Sequence, residues 1–196
     1  MDGDFIHKVI TSKIAKPYYR GIYSANNLIS DGTQYLDPNA LLNLFICNSA
    51  KLDHPGIHWI AIGIYGSKSI TNNRIGVFLD SFGRDPSYYK DSDFGDFLAK
   101  YCDSIRTIPY QIQDADSSLC GVYVIYFCHM IALGLNLPEL LKPFNVMQLD
   151  SNDEYVVKWL GDVYSASMYR MCGADTVGIN PSTLNQICRS LNKSNV

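Results

Sequence analysis

The run "LCGVYVIYFCHMIALGL", Leu119 to Leu135, is apolar on nearly every side. A helix without a polar face has to be surrounded by the rest of its chain, so the other elements must pack around this one. The run falls short of the ~20 residues of a membrane span and is interrupted by His129, so it reads as a buried core helix. Its start is unusual. The small-residue turn "DADSSL" leads into Cys120, and Gly121 directly after it weakens a helix. A turn of this kind leaves room for another group to approach the backbone.

The remaining elements follow from periodicity and punctuation. "DFIHKVITSKIAK" carries apolar residues at helical spacing and ends before Pro17. "PYYRGIYSANNLIS" reads as irregular or briefly extended. Asp37-Pro38 has the form of an N-cap followed by proline at the first helical position, which predicts a helix through "NALLNLFICNSA". "IHWIAIGIY" (57–65) is β-branched and aromatic on both faces and predicts a strand covered on both sides. A turn, "GSKSITNN", and a second strand, "RIGVFLD", would complete a hairpin. "FGDFLAKYCDSI" predicts an amphipathic helix containing Cys102, and "RTIPYQIQ" a short strand ending at Gln113. Further helices are expected from Asn152 and over "PSTLNQICRSLN". With strands in the middle, helices at both ends and no linker or repeat, residues 1–196 read as one α+β domain.

Composition narrows the function. Hydrophobic residues make up 47% of the chain and charged residues 18%, which excludes a disordered segment. A formal charge of -3 offers no general attraction to nucleic acid or to an anionic membrane. None of the six cysteines forms a C-x-x-C pair, and a chain of this size needs no disulfide framework, so reduced thiols are expected. The N-terminal residues lack a signal-peptide pattern, so secretion is not expected. His54, His58 and Asp53 are too few for a four-ligand metal site, and neither a metal nor a cofactor is expected.

Cys120 at the positive end of the core helix has the setting in which a thiolate is stabilised. A nucleophilic thiol also needs a base, usually histidine, and a group to orient that base. His129 lies nine residues along the same helix, roughly 13 Å away at 1.5 Å per residue, out of reach. His7 has no special context, and His54 sits in the loop "DHPG". His58 opens the most apolar strand, where a polar ring requires a partner. Asp80, ending the neighbouring strand, could hold one ring nitrogen and leave the other for Cys120. Asp80 also fits a plain turn residue, and Asp85 and Asp53 are reserves. Gln113 could give its amide to an oxyanion, with the Cys120 backbone N–H as second donor, and Gly121 would let a substrate carbonyl sit close to the backbone. An ordinary buried cysteine and a satisfied core histidine are the bland alternatives.

The ordered set "HW … DSFG … Q-x6-CG" resembles the adenovirus-type cysteine endopeptidases, relatives of the SUMO- and ubiquitin-like-protein proteases. "PYYRGIYSANNLIS" and "FLDSFGRD" resemble the N-terminal part and acid-bearing strand of the adenovirus enzyme. The resemblance covers most of Met1 to Leu135. It implies a papain-like fold with the permuted order His58, Asp80, Gln113, Cys120, as base, orienting acid, oxyanion donor and nucleophile. It also implies cleavage of viral precursor proteins after small residues such as glycine, in the virion or the infected-cell cytoplasm; a monomer is expected. A peptide or DNA activator is a family property, but the acidic chain disfavours DNA, and Cys102 is not assigned the role of binding a peptide. The alternatives are a deconjugating protease for ubiquitin-like modifiers and a catalytically silent module.

Overall fold

The computed structural model describes residues 1–66 and 73–172. Five strands form a mixed sheet in the order β1 (Tyr19–Tyr23), β2 (Leu42–Asn48), β3 (Trp59–Tyr65), β4 (Ile75–Leu79) and β5 (Ser104–Thr107). The inner pairs β2–β3 and β3–β4 are antiparallel, and the outer pairs β1–β2 and β4–β5 are parallel. Helices α1 (Gly3–Thr11), α2 (Phe94–Tyr101), α3 (Cys120–Ala132), α4 (Leu137–Leu141) and α5 (Leu149–Cys172) cover the sheet. None of them is long and apolar enough to cross a membrane.

The predicted helix after Asp37-Pro38 is a strand. All seven residues of β2 are buried, with Leu42, Leu44 and Ile46 facing one apolar cluster and Phe45 and Cys47 facing the other. Only an extended chain sends alternate side chains to opposite faces, and β2 lies between β1 and β3 with both faces covered. The cap chemistry of Asp37 is spent on a turn, where its Oδ1 accepts from Asn39 N–H at 2.8 Å. Two smaller expectations also shift. Cys102 is the residue after α2 rather than part of it, and β5 stops at Thr107, so Gln113 lies on the loop leading to α3. The turn "GSKSITNN" and the last helix fall outside the described residues. β3 and β4 pair as the predicted hairpin partners, Ala61 opposite Leu79.

The apolar run is α3, and its surroundings are as its sequence requires. Residues 121 to 128 are all buried, against α1, α5 and the β3 face of the sheet. On this side α1 contributes Phe5, Ile6, Val9 and Ile10, and Asp2 caps it by accepting from Phe5 N–H at 2.9 Å. On the other side α2 buries Phe94, Phe97 and Leu98 against Phe45 and Phe78. The consequence for the site is geometric. His58 just before β3 and Asp80 just after β4 meet at one edge of an antiparallel pair, and the N-terminus of α3 points at that edge.

Candidate active site

Asp80 is fully buried at the end of β4, where an isolated carboxylate would be costly. Three donors satisfy it. Its Oδ1 lies 2.7 Å from His58 Nε2 and accepts from Phe82 N–H at 2.8 Å, while Oδ2 accepts from the Tyr89 hydroxyl at 2.5 Å. The bond to Phe82 N–H is that of an Asx turn, continued by Gly83 N–H to the Asp80 carbonyl at 2.9 Å and by the left-handed Gly83, φ 67°. Asp80 is thus a turn residue and the partner of His58 at once. Neither reserve acid partners His58. Asp85 is exposed and bonds to Ser87, and Asp53 is an exposed turn residue with φ 67°.

His58 is 4% exposed and packs against the Phe82 ring at 4.8 Å between centroids. With Nε2 committed to Asp80, Nδ1 is left for the thiol. Burial alone would push the imidazole down. The Asp80 hydrogen bond and charge, with the Cys120 thiol, outweigh it and raise His58 to about 9. Burial pushes the Cys120 thiol up, but His58 and the Trp59 backbone N–H prevail and bring it below the usual thiol range. The two shifts are halves of one thiolate–imidazolium pair. Cys120 is the first residue of α3, so the helix dipole acts in the same direction.

Gln113, with no exposed surface, accepts from the Ser81 hydroxyl at 2.6 Å and directs its amide nitrogen to Ser117, 3.0 Å from the carbonyl and 3.3 Å from Oγ. The Ser117 carbonyl can only accept, which fixes the amide orientation. Gln113 therefore anchors the loop that delivers Cys120.

Three of the predicted residues, His58, Gln113 and Cys120, line one cleft of about 700 Å³ together with Met1, Gly56, Ile57 and Trp59, and Asp80 is buried behind His58. The Trp59 indole donates to the Met1 carbonyl at 3.0 Å and so forms part of the wall. Gly121 has a different purpose from the one its position implied. A Cβ there would lie 2.8 Å from Met1 Sδ and 3.2 Å from Ile6 Cδ1, so the glycine admits α1 and Met1 rather than a substrate. The aromatic loop "DPSYYKD" lines a second groove of about 410 Å³ that meets the cleft at His54 and Ile57. Sequence reasoning passed over Tyr89 and Ser117; the acid-to-tyrosine bond has no signature of spacing, because it depends on the short helical turn Pro86–Tyr88. His7, His54 and His129 bond elsewhere, to Tyr19, the Leu52 carbonyl and Tyr164.

No family model and no curated protein matches the chain. The solved structures similar to it include the following three. The Rickettsia bellii effector protein RickCE shares 18% identity at a TM-score of 0.42, over 71% of this chain and 50% of that one, so the chain spans half its length. An AvrA deletion variant with IP6 and CoA shares 12% at 0.47, over 99% and 76%. A de-sumoylating protease shares 15% at 0.40, over 86% and 82%.

Proposed function

We propose that this chain is a cysteine peptidase in which Cys120 is the nucleophile, His58 the general base and acid, Asp80 the group that orients it, and Gln113 an oxyanion donor. The observation that supports this most is the buried Asp80–His58 bond of 2.7 Å aimed at a thiol of lowered pKa in an open cleft. A histidine serving only the core would need neither the thiol nor the cleft.

In this mechanism the Cys120 thiolate attacks the scissile carbonyl carbon, and the C=O π electrons move to oxygen. The oxyanion is met by the Cys120 backbone N–H and the Gln113 amide. As the tetrahedral centre collapses, the C–N bond breaks and the His58 imidazolium gives its proton to the departing amine. Neutral His58 then takes a proton from water, the hydroxide attacks the thioester, and the C–S bond breaks to return the thiolate and release a carboxylic acid. Asp80 keeps its charge throughout and stabilises the imidazolium.

The ordered motif and its resemblance to the adenovirus-type endopeptidases extend the proposal to the substrate: viral precursor proteins cut after small residues such as glycine. Fluorogenic peptides spanning a glycine in capsid precursors, assayed beside a ubiquitin-like C-terminal substrate, test both levels. Cleavage of the precursor peptides that is lost in Cys120→Ala is the expected result. Retained cleavage in Cys120→Ala would refute the chemistry, whereas cleavage of the modifier substrate alone would move the enzyme to deconjugation.

A further inference from the structure

Tyr89 lies outside the four motif residues, yet it makes the shortest bond to Asp80, its hydroxyl donating to Oδ2 at 2.5 Å. The other carboxylate oxygen is shared by His58 and the Phe82 N–H, so the two ends of the carboxylate are tied to different elements. Without a bond on Oδ2, a carboxylate can swing about its last torsion, which is broad and soft. Asp80 would then present either oxygen to His58, or neither squarely.

Tyr89 is itself held firmly. Its ring packs 6.0 Å from Phe78 and 5.9 Å from Phe94, edge-on to the latter. The Arg84 guanidinium sits over Phe82 at 4.8 Å and over Tyr88 at 4.5 Å and interacts with the Tyr89 hydroxyl. Burial, and after it the charge of Asp80, push the Tyr89 hydroxyl far above the usual tyrosine range, with Arg84 pulling the other way. It therefore stays protonated, and a donor, throughout the range in which the His58–Cys120 pair operates.

We propose that Tyr89, braced by Arg84, is a positioning residue that locks the Asp80 carboxylate with Oδ1 toward His58 and so holds the imidazole against Cys120. This rests on the cysteine-peptidase reading. Tyr89 does not touch the reacting atoms. It acts through Asp80, and the loop "GRDPSYY" exists to carry it there.

Tyr89→Phe keeps the ring and removes only the donor. Its expected effects are a fall in kcat of about tenfold with KM unchanged, the usual scale for one hydrogen bond to an ionised group. The acid limb of Cys120 alkylation by iodoacetamide should also move up by as much as about one pH unit. Arg84→Gln should move both in the same direction by less, and it supplies the same readout should Tyr89→Phe fail to fold. A change confined to KM, or a pH profile superimposable on that of the unaltered protein in both variants, would overturn the assignment. The two levels separate cleanly. If unaltered Cys120 reacts no faster than Cys128, the peptidase reading falls and this assignment with it; if it reacts faster and the variants match it, only the role of Tyr89 falls.

Discussion

The two ends of α3 carry the same pair of residue types in opposite states. At the N-terminal end Cys120 meets His58; eight residues on, Cys128 is followed by His129. Burial pushes Cys128, with no exposed surface, up to about 12, and nothing offsets it. His129 is lowered, first by burial and then by Lys13, and its Nδ1 meets the Tyr164 hydroxyl at 2.8 Å. His58 is the more buried of the two histidines and yet is raised to about 9. The difference is the carboxylate. A thiol and an imidazole in a protein interior are two inert neutral groups until a satisfied anion stands behind the ring, and among the described residues the β3–β4 edge provides one to His58.

Several substitutions would break or sharpen this contrast. The largest effect is expected from Cys120→Ala, which should abolish cleavage by at least about 10⁴-fold while leaving the melting temperature nearly unchanged. Cys128→Ala should do the reverse, keeping activity and costing about 1–2 kcal/mol of stability through a small core void, read by denaturant unfolding. Asp80→Asn should turn His58 into a second His129: kcat falls by roughly 10²- to 10³-fold, and NMR titration places His58 well below about 9.

The pH dependence comes next. His58 is raised above its usual 6.5, so its pairing stabilises the fold fully below about 6.5 and is lost as pH rises through about 9. Cys120 is lowered, so its contribution is present above the usual thiol range and is lost as pH falls through its depressed value. Thiolate and imidazolium coexist only between those limits. The profile of kcat/KM against pH should therefore be bell-shaped, with its alkaline limb near 9 from His58. An alkaline limb that persists unchanged in Asp80→Asn would assign it to another group. The smallest effect is expected from Gly121→Ala. The new methyl meets the flexible end of Met1, so a loss of about 1 kcal/mol or less, with unaltered labelling of Cys120, should be measured.

The core helix and the β3–β4 pair were legible in the sequence, because a run apolar on all sides and a β-branched run each admit one environment. β2 was not. "LNLFICN" is a short apolar run in which strand and buried helix give the same pattern, and the Asp37-Pro38 signal before it favoured the helix. Its position between two other strands decides the matter, and that is tertiary information. At the site, His58, Asp80, Gln113 and Cys120 were singled out by order and spacing; His58, Gln113 and Cys120 line one cleft, and Asp80 reaches it through its bond to His58. The purpose of Gly121 was misread, since the packing of α1 against α3 leaves no local trace. Tyr89 escaped because its role depends on where a loop returns.

The central claim is that α3 carries one activated thiol and one inert one, and that His58 makes the difference. Native protein treated with iodoacetamide across a pH series, with the rate at each cysteine mapped by mass spectrometry, tests it without any substrate. Cys120 should be alkylated selectively below about pH 7, with Cys128 silent, and the advantage should vanish in His58→Ala. Equal rates at Cys120 and Cys128, or a Cys120 advantage undiminished in His58→Ala, would contradict the account.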